Sequence, residues 1–205
     1  MAVTTRPQAQ SCDFPDEAAL LARLRAGDDA AFTMLVNATI DRMLATARRM
    51  LHSDEEAQDA VQEAYLSAFK SLDRFSGDSK LATWLHRITV NAALMRLRAK
   101  KSRPMASIED LLPRYQDDGH RVDPADPWSP LAGEDLERAE VRRAVRARID
   151  QLPDDYRIVL ILRDIEELDT NAAAVALGIT PGAVKTRLHR ARQALRTLLE
   201  EEFVG

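Results

Sequence analysis

The chain has 205 residues, enough for one or two compact domains with cores of their own. Alanine and the aliphatics dominate, glycine numbers only seven and aromatics make up 5%, a composition that favours an all-helical protein. Cys12 is the single cysteine, which excludes an internal disulfide and fits a reducing compartment.

No window approaches the roughly 18 apolar residues of a membrane span. The opening MAVTTRPQAQSC lacks the apolar h-region of a signal peptide. A cytoplasmic protein without direct membrane insertion is expected. The net charge of −4 hides the distribution of charge. Residues 80–103 hold seven basic residues and no acid, whereas residues 104–137 hold nine acids against Arg114 and Arg121. Such segregation implies more than one kind of partner surface.

In chain order, residues 1–15 are polar and expected to be disordered. Residues 16–26 read as a short helix with Leu20, Leu21 and Leu24 inward, stopped by Gly27. Asp28 or Asp29 caps the next helix, whose apolar stripe is Phe32, Leu35, Val36, Ile40, Met43, Leu44, Ala47, Met50 and Leu51. Ser53 and Glu56 form a capping-box pattern. The helix after it runs to about Arg74 and turns Ala57, Ala60, Val61, Ala64, Ala68, Phe69 and Leu72 inward. Its outer face carries Asp54, Glu55, Glu56, Asp59 and Glu63, with Gln62 among them. Acids in a first turn favour the helix dipole. Asp59 and Glu63 lie beyond that turn, so a solvated face and a partner-binding face both remain open for them.

Gly77 precedes a helix over residues 81–99, for which Trp84, Leu85, Ile88, Ala92 and Met95 are expected to form the buried stripe. Thr83, Arg87, Asn91, Arg96, Arg98, Lys100 and Lys101 are its polar complement. Trp84 alone reads as core and Asn91 alone as surface. Beside the basic run, the two point to a nucleic-acid surface. Five prolines then interrupt residues 103–134, read as an acidic linker in which residues 107–112 have the pattern of a single turn.

The second domain is expected at residues 135–205. Val141, Val145, Ile149 and Leu152 give one helical stripe. Pro153, Asp154 and Asp155 open a helix with Tyr156, Val159, Leu160 and Arg163 along one side. A short alanine-rich helix over Thr170–Leu177 is followed by Gly178 and Ile179. Thr180 is then an N-cap, and Pro181 suits the first helical position. Val184, Leu188, Ala191, Leu195 and Leu198 form an apolar stripe. The other faces carry Lys185, Arg187, Arg190, Arg192 and Arg196 with no acid among them. A small residue at Ala174, a glycine at 178 and an aliphatic at Val184 fit a helix-turn-helix, whose second helix enters the major groove. The candidate base- and phosphate-contacting residues are Lys185, Thr186, Arg187, His189 and Arg190.

Three stretches resemble one family. LATWLHRITVNAALMRLRAKK is similar to the promoter-melting segment of bacterial sigma factors, through Thr83, Trp84, Leu85, Ile88, Asn91 and Arg98. DEEAQDAVQEAYLSAFKSLDRF resembles their helix that holds the polymerase core, and LDTNAAAVALGITPGAVKTRLHRARQALR their promoter-reading helix-turn-helix. Order, spacing and length resemble the extracytoplasmic-function class, over about residues 16–199. The resemblance implies a two-domain all-α protein, with residues 16–102 binding core RNA polymerase and melting the downstream element and residues 135–205 reading the upstream element. It implies a linker that threads towards the polymerase active-site channel, and control by an anti-sigma factor in a stress or envelope response.

On that resemblance Asp59, Gln62 and Glu63 would face core polymerase. Thr83, Trp84, Arg87, Asn91, Arg96, Arg98 and Lys100 would hold the downstream element. Two departures stand out: family members often carry an acid where Met95 stands, and a Glu-Glu-Ile-Ala run where this chain has Asn171, Ala172, Ala173 and Ala174. Competing readings are a sigma-like decoy and a DNA-binding regulator that does not engage polymerase. The decoy need not keep two basic faces, and the regulator leaves the acidic helix unexplained. With no P-loop, no metal-spaced Cys/His cluster, no nucleophile elbow and histidines only at 52, 86, 120 and 189, neither an enzyme nor a cofactor is expected.

Overall fold

Asp16 opens the first helix, α1 (Glu17–Arg25), by accepting from the Ala19 amide, and Gly27 ends it at φ +76°. Asp28 then caps α2 (Asp29–Met50) through the amides of Ala30 and Ala31. Ser53 caps α3 (Asp54–Ser71) at the Glu56 amide, and a 3-10 turn over Leu72–Arg74 continues it. The basic helix is α4 (Leu81–Ala99), whose first amide, that of Leu81, donates to the Glu17 carboxylate of α1. An acid from a neighbouring helix thus satisfies one of the donors that a helix start leaves orphaned.

This computed structural model describes Phe14 and residues 16–99, 107–112 and 135–203, with the side chains of 135–139 and 201–203 excepted. The expected disorder of residues 1–15, all but Phe14 of that stretch, lies outside the described residues, as do Lys100 and most of the acidic linker. Every described element is helical, and no strand occurs among the described residues. The chain divides into two compact units, Met1–Lys101 and Ser102–Gly205.

In the first unit α4 packs on both α2 and α3. Leu20, Leu24, Ala31, Leu35, Leu72, Phe75 and Leu81 form a buried cluster that Phe32, Phe69 and Trp84 flank. Phe32 meets Phe69 edge-on at 4.7 Å, and Phe75 lies 4.8 Å from Trp84. Buried hydroxyls are satisfied locally. Thr39 Oγ1 donates to the Leu35 carbonyl at 2.7 Å, which leaves the Tyr65 hydroxyl, 2.8 Å away, to donate to it.

The stripe expected on α4 is corrected here. Met95 is 62% exposed, and Trp84 and Ile88 are only half-buried. The buried face runs through Leu81, Ala82, Leu85, His86, Thr89, Val90, Ala92, Ala93 and Leu94. A helix covered on two sides buries a wide arc, and small residues on that arc let α2 and α3 approach. Apolar spacing alone finds Leu85 and Ala92 and misses Ala82, His86, Thr89, Val90, Ala93 and Leu94.

The second unit comprises a 3-10 turn, Ile108–Leu111, then α5 (Asp135–Ile149), α6 (Asp154–Leu160), α7 (Thr170–Leu177) and α8 (Pro181–Phe203). A π-helical turn, Ile161–Ile165, extends α6. Its core joins Ile158, Val159, Leu160, Ile161 and Leu162 to Ala173, Ala174, Val184, Leu188, Ala191 and Leu198. Arg157 is 1% exposed and reaches Asp154 Oδ1 at 3.2 Å. A charged residue in a buried row is invisible to an apolar count.

Candidate nucleic-acid interface

Local chemistry fixes the angle of α8. Asp169 caps α7 through the amides of Asn171 and Ala172, and Gly178 ends it in the left-handed conformation at φ +67°. The Ile179 amide closes the turn on the Ala174 carbonyl at 3.1 Å. Thr180 Oγ1 accepts from the Ala183 amide at 3.1 Å, so Pro181 and Gly182 begin α8 without a competing side chain. Val184 is fully buried. This geometry is the expected helix-turn-helix.

Of the five candidate residues on α8, Lys185, Thr186 and His189 are exposed, while Arg187 and Arg190 are half-buried. Acids from other segments meet the arginines. Arg187 Nη2 lies 2.9 Å from Asp155 of α6, and Arg190 Nη1 lies 3.4 Å from Glu109 of the linker turn. Arg192 makes a two-pronged contact with Asp164, at 2.8 and 2.6 Å. That bond holds its guanidinium above its ordinary value. Arg196 pairs with Glu200 one turn on, at 2.8 Å. The arginines of α8 are therefore matched, one by one, by carboxylates the sequence places far away or one turn on.

On α4, Arg87, Asn91, Met95 and Arg98 are exposed and recur at spacings of four, four and three, so they share one face. Thr83 and Trp84 are half-buried at its start. Arg96 turns the other way, towards α3. Its Nη1 lies 3.2 Å from Asp59 and its Nε 3.6 Å from Glu63. Two residues assigned to polymerase and one assigned to DNA thus engage each other in the free chain.

Gln62, the third polymerase candidate, lines a groove of about 460 Å³ between α2 and α3. Val36, Ile40, Leu44, Val61, Tyr65 and Leu66 supply its apolar walls, and Leu66 is 53% exposed. Sequence reasoning placed Val36, Ile40 and Leu44 in the core. The signal it passed over is the breadth of the α2 stripe, part of which its neighbours α1, α3 and α4 leave uncovered. Among the described residues no group of three His, Cys, Asp or Glu side chains is placed to hold a metal ion, and no helix is long and apolar enough to cross a membrane.

Two helical units, one carrying a helix-turn-helix with an exposed Lys-Thr-His face and the other a long helix with an exposed Arg-Asn-Arg face, have the architecture of a DNA-binding protein. The family Sigma-70 region 2 matches residues 35–103 and Sigma-70, region 4 matches residues 142–195. The chain is 35% identical over 184 residues to the RNA polymerase sigma-H factor of Pseudomonas aeruginosa, covering 88% of this chain and 92% of that protein. It is 34% identical over 184 residues to the ECF RNA polymerase sigma factor SigW of Bacillus subtilis, covering 87% and 94%. To the ECF RNA polymerase sigma-E factor of Escherichia coli K12 it is 33% identical over 178 residues, covering 86% and 90%.

Among solved structures, CnrH in complex with the cytosolic domain of CnrY has the same fold, with a TM-score of 0.54, 24% identity, and coverage of 91% of this chain and 99% of that one. The sigma factor RpoE in complex with the anti-sigma factor NepR from Bartonella quintana gives a TM-score of 0.51, 24% identity, and coverage of 82% and 96%. The chain belongs to the extracytoplasmic-function family of RNA polymerase sigma factors, proteins that direct core polymerase to promoters at transcription initiation.

Proposed function

We propose a division of labour among three surfaces of this sigma factor. In the N-terminal domain, residues 16–102, the α2–α3 groove with Gln62 and the flanking Asp59 and Glu63 holds core RNA polymerase. The exposed α4 face, Arg87, Asn91 and Arg98, takes the downstream element and its separated non-template strand. Thr83, Trp84 and Arg96 flank it, and Lys100 belongs to the same assignment by sequence. Residues 103–134 link this domain to the C-terminal one, residues 135–205, in which Lys185, Thr186, Arg187, His189 and Arg190 read the upstream element. The protein acts in the cytoplasm as an initiation factor and not as a catalyst. An anti-sigma factor controls it in a stress or envelope response, by analogy with the NepR complex.

The observation that carries this reading is the α8 face. Lys185, Thr186 and His189 are exposed in the first turns after the Thr180 cap, where a helix-turn-helix meets base edges. Arg187 and Arg190 flank that face, and Arg190 grips guanine, a bidentate contact that discriminates by about 1–3 kcal/mol. Lys185 meets a phosphate as a mobile point charge.

A binding series over single-base promoter variants at two salt concentrations tests it. Arg190→Ala should relax preference at one or two base pairs. Lys185→Ala should weaken all variants alike and reduce the salt slope by about one unit. Equal weakening of every variant by Arg190→Ala would make Arg190 a phosphate contact. No effect of either substitution would remove α8 from the groove.

A further inference from the structure

The linker is read above as a tether, yet its one described stretch is structured. Residues 107–112 turn through a 3-10 helix, with the Asp110 amide on the Ser107 carbonyl at 3.2 Å. Ile108 is 3% exposed, whereas Ser107, Glu109 and Asp110 are exposed. A turn this short has no core of its own, so Ile108 is buried by what the turn lies on, and the turn lies on α8. Beside that anchor, Glu109 Oε1 sits 3.4 Å from Arg190 Nη1. The Ser107 hydroxyl donates to the other carboxylate oxygen. That bond first, and the Arg190 charge last among its causes, hold the Glu109 carboxyl below its ordinary value, so it remains an anion.

An aliphatic anchor thus sets a carboxylate on a guanidinium that the function above assigns to DNA. The carboxylate stands in for the negatively charged oxygen or electronegative base edge that Arg190 would meet in the groove. We propose that the Ile108–Leu111 turn is a latch on α8, competing with upstream-element DNA for Arg190 and leaving α8 when DNA or polymerase is engaged. The inference rests on the reading that Arg190 contacts DNA. Ile108 supplies the hold, because an exposed ion pair contributes little on its own, and Glu109 supplies the competition. The measured affinity for duplex is then the intrinsic one reduced by the fraction of chains with the latch open.

The full-length chain and a labelled duplex enriched from a randomised pool by the wild-type protein provide the test. Glu109→Gln keeps the shape and removes the charge; it should tighten duplex binding about two- to fivefold. Ile108→Ala should tighten it at least as much, because it loosens the whole turn. In an Arg190→Ala background Glu109→Gln should have no further effect. Hydrogen exchange supplies a readout without DNA. The Asp110 and Leu112 amides should be protected in the wild type, exposed in Ile108→Ala, and exposed in the wild type on adding duplex.

Equal duplex affinity in wild type, Glu109→Gln and Ile108→Ala overturns the latch while leaving the DNA assignment standing. Persistent protection of the turn in the duplex complex does the same. Failure of all three proteins to bind any duplex overturns both.

Discussion

Gly178 and Thr180 orient the recognition helix through backbone conformation and a cap. Gly178 sits at φ +67° with open space around its Cα, so Gly178→Ala meets backbone strain and no clash. It should destabilise the C-terminal unit by about 1–2 kcal/mol in chemical denaturation. Thr180→Ala removes the acceptor for the Ala183 amide and should cost about 1 kcal/mol in the same assay. Both positions were legible in the sequence because caps and left-handed turns are local, written in adjacent residues.

The cap of α2 was legible as Asp28 or Asp29, and the structure's choice of Asp28 adds a pH dependence. A hydrogen bond from Arg23, opposed by desolvation and helped by the Ala31 and Ala30 amides, holds its carboxyl below the ordinary value. A folded pKa below the unfolded one gives stability that is fully present above the unfolded value and lost as pH falls through the folded one. Asp28→Asn keeps the cap and removes the titration, so the acid limb of N-terminal unfolding should flatten when helical signal is followed against pH. Arg157 and Met95 were not legible. Each breaks the rule that charge lies outside and aliphatics inside, and only the positions of neighbouring helices show why.

At the scale of elements, α3 and α4 share more than a packed face. Arg96 bridges Asp59 and Glu63 across them, so the proposed polymerase and DNA surfaces meet at one ion-pair cluster. Replacing Asp59 and Glu63 with lysine should weaken co-purification with core polymerase while the helical circular-dichroism spectrum stays native. Unchanged recovery of core polymerase would remove these two residues from that surface.

On the far side of α4, Asn91→Ala should reduce permanganate reactivity of thymines in the opened promoter more than it reduces duplex binding. Normal thymine reactivity in that complex would rule out a base contact by Asn91. Helix limits were readable to within a few residues, because glycines, caps and apolar periods punctuate the chain. The exposed face of α4, Arg87, Asn91 and Arg98, was readable, but the width of its buried arc was not. With α2 and α3 both packed on it, α4 buries small residues such as Ala82, Thr89 and Ala93 together with Leu81, Val90 and Leu94.

For the whole molecule, two units with separate cores predict separable stability. Leu35, fully buried in the first unit, should cost about 2–5 kcal/mol when truncated to alanine. Hydrogen exchange should locate that loss in α1–α4 and leave amide protection in α6–α8 unchanged. The all-helical class and the helix-turn-helix were legible from composition and period. The acids that answer the arginines of α8 were not. Asp155 and Asp164 come from α6 and its π-helical extension and Glu109 from the linker turn, with 28 positions between Asp164 and Arg192 and 81 between Glu109 and Arg190, and nothing local joins them.

Those carboxylates bear on how the protein spends its time before it meets polymerase. Arbitrary duplex attracts proteins almost wholly through unmatched cations. A recognition helix whose arginines already hold carboxylates should bind arbitrary duplex somewhat more weakly than a bare basic helix, its Lys185 remaining exposed. The duplex binding of the solitary factor should accordingly rise when those carboxylates are neutralised, and its salt dependence should steepen.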